Sequence, residues 1–320
     1  MEGSVLDLFE GSSGRNVILL QTLLHQHQRL SQVAVDNNNP FLAEANNLPE
    51  AHLREAVYHS IRGESANNAI SASLTRAAHS YSLCTLAHVQ MAIKCLKTAI
   101  SFQNQDESTR LDLLLSIGDV YTTAASICHV PGGDGGQSDV DTVHYLWSAM
   151  DYLFELWQSE ESSLVVNQDM ISIVVENCLI LCQSCQNLQQ HQDALCHAER
   201  CVSYLEEHYP AIAFKLPKFL KLTAFAAELA SRFKPSEHCQ VRIKKVLNSL
   251  TEIGAVYSVE CAFILDAACR ILFRQEQSNK TSVTLIQDFA ELSQLIWRSL
   301  NRESNEFRRE LKELGENDVA

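Results

Sequence analysis

An all-α chain, folded as an array of helical hairpins, is the fold class this sequence predicts, on three observations. Apolar residues recur at spacings of three, four and seven along most of the 320 residues, the spacing of one helix face. Small residues share those faces and let a neighbouring helix approach closely. Six prolines and eleven glycines are few, so long stretches carry no helix breaker.

Composition narrows the function classes. A hydrophobic content of 46% with 20% charged residues is that of a globular chain rather than a disordered one. A formal net charge of −14 supplies no general field for a nucleic-acid backbone, so direct binding of nucleic acid is not expected. Met1–Glu10 carries acids where a signal peptide carries bases. No apolar run is expected to reach the ~18–20 residues of a membrane span. These readings predict an intracellular protein, cytoplasmic and/or nuclear, with no membrane partner. Eleven cysteines, mostly on apolar helical faces and odd in number, fit a reducing compartment in which a thiol packs as a small hydrophobe. Asn279-Lys-Thr matches a glycosylation acceptor that such a compartment leaves unused.

Residues 1–35 read as an N-terminal capping or docking segment: a short apolar piece at Val5–Phe9, a break at Gly11–Gly14, then a helix with Val17, Leu20, Leu23, Leu24, His27 and Leu30 on its apolar side. Asp36–Pro40 is a linker, because asparagine tolerates turns and proline keeps its predecessor out of the helical region. The main array spans 49–210. Pro49 suits the first turn of a helix through Leu53, Ala56, Val57 and Ile61. After a break at Gly63–Asn68, a long helix carries Leu74, Ala77, Ala78, Tyr81 and Leu83. In His88–Phe102, Ala92, Ile93, Leu96, Ala99 and Ile100 make a shallow apolar face. In Leu111–Tyr121, Leu114, Ile117, Gly118 and Tyr121 share one face. A glycine inside a helix costs about 1 kcal/mol against alanine, which marks Gly118 as a helix–helix contact.

His129–Asp139 lengthens the next turn with a glycine-rich insertion at 131–138. It has no Gly-Lys-Ser/Thr and no preceding strand, and it places Asp134 where an anion would sit, which favours a flexible insertion over a phosphate loop. Helix resumes near Ser138–Thr142 through Tyr145, Leu146, Ala149, Tyr152, Leu153, Leu156 and Trp157, and Gln158–Ser163 ends it. Pro210 and Pro217 frame a junction to C-terminal hairpins at 216–314. There the alanine-rich helix ending at Phe233 pairs with Cys239–Leu250, and Ser258–Phe273 pairs with Val283–Leu314. That last helix aligns Leu285, Phe289, Leu292, Ile296, Leu300, Phe307, Leu311 and Leu314 in one stripe, as a terminal cap requires. Residues 315–320 are expected to fray.

These patterns resemble the tetratricopeptide repeat. Leu114, Ile117, Gly118 and Tyr121 match the first helix of that family's unit, and Ala92, Leu96 and Ala99 match the second helix of the unit before. At the family's period of about 34 residues, units fall near Ser73–Gln105, from Leu111, and near Val175–His208. In the last, Cys178, Leu181, Cys182 and Cys185 fill the first helix while Ala194, Ala198 and Cys201 fill the second. The family's tryptophan is absent from all three first helices. The resemblance implies a right-handed superhelical array of about five hairpins with capping helices, and a non-catalytic scaffold or adaptor. It also implies a ligand groove lined by first helices: Leu74, Ala77 and Tyr81, then Asp112, Leu115, Asp119 and Thr122, then Glu176, Leu179, Gln183 and Gln186. That acidic and apolar face predicts a protein partner, a peptide or helix with apolar anchors and basic flanks.

Other chemistries are weaker. Cys178, Cys182 and Cys185 with His191, Cys196, His197 and Cys201 form the one zinc-like grouping, but the first three and Cys201 occupy expected core positions, so no metal or cofactor is predicted. No nucleophile motif places a serine or cysteine against a histidine, and no catalytic residue is expected. A second surface, Lys215, Lys218 and Lys221 with Arg242, Lys244 and Lys245, is a basic patch or a solvated face. The alternative function is a constitutive helical subunit whose groove a partner occupies permanently; less favoured is a zinc-binding or enzymatic helical protein.

Overall fold

The computed structural model describes residues 12–37, 39, 44–62, 67–81, 85–102, 107–129, 136–157, 168–233, 237–255, 258–276 and 283–299. Among them are thirteen helices packed as sequential neighbours in an all-α chain. The chain divides into two units, Met1–Val166 and Asn167–Ala320.

In the first unit, α1 (Ser12–Asp36) packs against α2 (Asn47–Arg62), α2 against α3 (Asn67–Ser80), α3 against α4 (Leu86–Ser101), α4 against α5 (Glu107–Cys128), and α5 most extensively against α6 (Gln137–Trp157). The expected break at Gly11–Gly14 gives way to helix from Ser12, and α2 opens at Asn47, two residues before Pro49. Helix α3 stops at Ser80, with Tyr81 bonded back to Ala78 O; Leu83 lies outside the described residues. Thr85 caps α4, its hydroxyl accepting from His88 N. On α1, Leu20, Leu23 and His27 are buried as the spacing predicts.

The α5–α6 contact is close because Gly118 has no side chain. A Cβ there would lie 2.8 Å from Leu153 Cδ2 and 2.9 Å from its Cγ. Gly118→Ala should therefore destabilise the first unit by about 1 kcal/mol, since overpacking at about 1–3 kcal/mol exceeds the helix-propensity gain of about 1 kcal/mol. In a Leu153→Ala background the same change should stabilise. A urea-denaturation double-mutant cycle tests this, and a stabilising Gly118→Ala in the native background would contradict it.

In the second unit, α7 (Gln168–Asn187) and α8 (His191–His208) form a hairpin. It closes through Gln189 in the left-handed region (φ 63°) and a bond from Gln190 N to Cys185 O. Cys178, Leu181, Cys182, Cys185, Ala194, Ala198 and Cys201 are all buried. A short α9 (Pro210–Ala213) leads to α10 (Pro217–Phe233), which touches α7, α8, α11 (Glu237–Glu252) and α12 (Val259–Glu276). Ala224, Ala226 and Ala227 keep α10 slim enough for neighbours on nearly every side. Gly254, at φ 70°, closes α11 as Ala255 N reaches Leu250 O. Helix α13 (Val283–Ser299) packs on α12; Leu300, Phe307, Leu311 and Leu314 of the expected stripe lie outside the described residues.

Arg110–Cys128 of α5 is long and apolar enough to cross a membrane by length and composition, contrary to the expectation that no run would be. Half of it is buried in the protein, because α5 is packed by α4 on one side and α6 on the other.

Candidate functional site

The candidate partner face sits on α5. Asp112, Leu115, Asp119 and Thr122 recur at three, four and three residues, so they stack on one side of the helix. Asp112 and Asp119 are exposed, and Leu115 and Thr122 are half-buried. The opposite side, Leu113, Leu114, Ile117, Val120 and Tyr121, is buried, which fixes the orientation of the row. Partial burial raises the Asp119 carboxyl above its usual range, and nearby His79 offsets part of that rise.

Leu74, Ala77 and Tyr81 do not join this face. Their exposures are 0%, 0% and 3%, so they are core residues of the first unit. α3 is packed by α2 and α4, and the side expected to be open is closed by them. Glu176 and Gln183 are exposed and Leu179 and Gln186 half-buried on α7, in the second unit. Glu176 is already paired, its Oε2 2.7 Å from Lys218 Nζ on α10.

That pair also dismantles much of the basic patch. Arg242 pairs with Glu199 at 2.6 Å, Lys245 reaches Glu206 at 3.5 Å and covers the Phe214 ring, and Lys221 lies 3.9 Å from the centre of the Phe263 ring. Most of these cations are thus spent on side chains of their own unit.

The cysteine grouping behaves as packing. Cys178 and Cys182 lie with sulfurs 4.0 Å apart, and their thiols point to the carbonyls of His197 and Ala194. Burial pushes Cys185 up to about 12, and Cys178 and Cys201, hydrogen-bonded to other thiols and buried, are also raised. Such thiols yield thiolate reluctantly. Among the described residues no group of three His, Cys, Asp or Glu is placed to hold a metal ion.

A serine–histidine–acid grouping does occur. His79 Nε2 and Ser116 Oγ are 3.2 Å apart and Asp119 is one turn along α5. The hydroxyl sits inside a helix whose interior N–H groups bond carbonyls four residues back, so that helix offers no donor pair for an oxyanion.

A charged cluster that the sequence reading missed lies in the second unit. Glu228 of α10, 3% exposed, places Oε1 3.0 Å from Arg232, 3.0 Å from Arg270 and 3.5 Å from Arg274. Burial pushes this carboxyl up, but the guanidiniums, Arg270 first, pull it below its usual range. Asp266, also on α12, accepts from Ser293 Oγ at 2.5 Å and Trp297 Nε1 at 3.3 Å of α13. The sequence signal was Glu228–Arg232 and Asp266–Arg270–Arg274, charges four apart inside apolar helices.

In comparisons with known proteins, no family model matches this chain, and no curated protein matches it significantly in sequence.

Proposed function

We propose that the chain is a non-catalytic scaffold or adaptor subunit that binds a segment of a protein partner through the acidic-apolar face of α5. The observation that carries this reading is the accessible row Asp112, Leu115, Asp119 and Thr122 on a helix whose other side is core. A partner helix or extended segment with apolar side chains against Leu115 and basic residues flanking it would complement the row. On this reading α3–α4, α5–α6 and α7–α8 are divergent tetratricopeptide-like hairpins in a right-handed superhelix, acting in the cytoplasm or nucleus.

A second reading, a constitutive subunit of a larger complex, is favoured by Val140 and Trp147, two turns apart on α6 and 45% and 48% exposed. Such a face suits a partner that stays bound.

Pull-down of the intact chain beside the Asp112→Lys/Asp119→Lys variant separates the two. The adaptor reading expects a stoichiometric partner held by the native chain, released at higher salt, and lost from the folded variant. A partner retained equally by both, with unchanged salt dependence, overturns it and leaves the constitutive subunit.

A further inference from the structure

We propose that α1 is a proton-released latch: in mild acid, protonation of His27 and His88 frees α1 from α2 and α4 while α5 and α6 stay packed, and the apolar face that α1 covers is uncovered. The inference rests on how α1 is held and on where a proton would go.

Helix α1 is lightly anchored. Among the described residues its buried side chains are Leu20, Leu23, His27 and Ala34, and it packs on α2 and α4. Two polar contacts join it to them near the surface, Gln28 Nε2 to Glu50 Oε1 at 3.3 Å and Lys94 Nζ to Gln26 Oε1 at 3.0 Å. Contacts open to water add little, because water replaces them on release. One of the four anchors is an imidazole.

That imidazole belongs to a buried network that joins four helices. Nδ1 of His27 lies 2.9 Å from the Tyr81 hydroxyl at the end of α3, and Nε2 lies 3.3 Å from Ser31 Oγ. Asn46, just before α2, links the two rings: its backbone bonds His27, and its Oδ1 is 3.1 Å from Nε2 of His88 on α4. The other nitrogen of His88 meets the Thr85 hydroxyl. A neutral imidazole needs one acceptor and one donor, which these partners supply to each ring. Losing α1 therefore removes a partner from Tyr81 and loosens Asn46 over His88.

A further proton has no acceptor waiting. It would turn the accepting nitrogen of a ring into a donor aimed at a hydroxyl that was giving its own hydrogen. Asn46 Nδ2 is already buried without a partner, so the junction is short of acceptors before any proton arrives. The acid facing His27 is Glu50 of α2, which is held by Arg54 at 2.7 Å and by Gln28. The other titratable groups here, the Tyr81 hydroxyl and the Cys95 thiol of α4, are raised by burial and keep their protons. Burial lowers both imidazoles, so each is neutral with α1 in place and protonated below about 6.5 once released. Acid thus favours release, by up to about tenfold per pH unit for each ring. This device is independent of the α5 face, so either can fail alone.

The test is hydrogen exchange of the intact chain at pH 7, 6 and 5, corrected for the pH dependence of the chemical step, with binding of the apolar dye anilinonaphthalene sulfonate as a second readout. We expect protection in α1 to fall reversibly between pH 7 and 5 by at least about tenfold more than in α5 and α6, with a rise in dye binding. His27→Gln should lose most of this pH response and His88→Gln part of it. His25→Gln, at an exposed position on the same helix, should keep it. Protection in α1 that falls in step with α5 and α6, dye binding that does not rise, a native response in His27→Gln, or an equal loss in His25→Gln overturns the proposal. If His27→Gln leaves α1 unprotected at pH 7, His88→Gln decides: an undiminished response in that folded variant also overturns it.

Discussion

Glu228→Ala should destabilise the second unit by about 3–5 kcal/mol, the cost of removing one partner from a buried ion pair. The residue is 3% exposed and its carboxylate is the meeting point of Arg232, Arg270 and Arg274. Without it, three guanidiniums remain close together between α10 and α12 with their mutual repulsion unscreened. Glu228→Gln keeps the volume and an acceptor oxygen but not the charge, and should lose most of the same stability. Pairing Glu228→Leu with Arg270→Leu should recover part of the loss, because it removes both the acid and one of the cations it held. Urea denaturation, with hydrogen exchange read on α10 and α12, measures each step. A loss under about 1 kcal/mol in Glu228→Ala would show that the arginines find water instead.

Mild acid should loosen the first unit before the second. His27 is fully buried, with Nδ1 2.9 Å from the Tyr81 hydroxyl, and His88, 3% exposed, places Nε2 3.1 Å from Asn46 Oδ1. Burial lowers both imidazoles below their usual range; Glu50 and the Asn46 backbone oppose this at His27, and His88 adds to it. Each ring is therefore neutral in the folded chain at pH values where the unfolded chain is protonated. Their contribution is complete above the unfolded value near 6.5 and falls as pH drops toward the folded values, by up to about 1.4 kcal/mol per pH unit for each ring. Glu228 has the opposite kind of shift: its lowered carboxyl contributes fully above the usual glutamate value and is lost only below it. Asp266, raised chiefly by burial, takes up its proton earlier when folded and so adds stability in acid. Between pH 7 and 5, hydrogen exchange should accelerate in α1–α4 and stay level in α10–α12. His27→Gln/His88→Gln should flatten the response; an unchanged slope in that variant would assign the acid sensitivity elsewhere.

Where most helices run, and several of their contacts, could be read from the residues alone. Helix formation depends on bonds between residues four apart and on apolar spacing within a few turns, both local properties. For that reason the faces of α4, α5, α7 and α8 were legible, and Gly118 could be named as a contact because a glycine inside a good helix needs a packing reason. Which apolar face meets which neighbour is not local. Packing between helices makes Leu74, Ala77 and Tyr81 core, since α2 and α4 close over α3. Likewise Lys218 answers Glu176 across 42 residues, the Tyr81 hydroxyl reaches His27 across 54, and Arg274 reaches Glu228 across 46. A charge or hydroxyl in a sequence carries no mark of its distant partner, and its burial depends on packing between helices rather than on the helix that bears it.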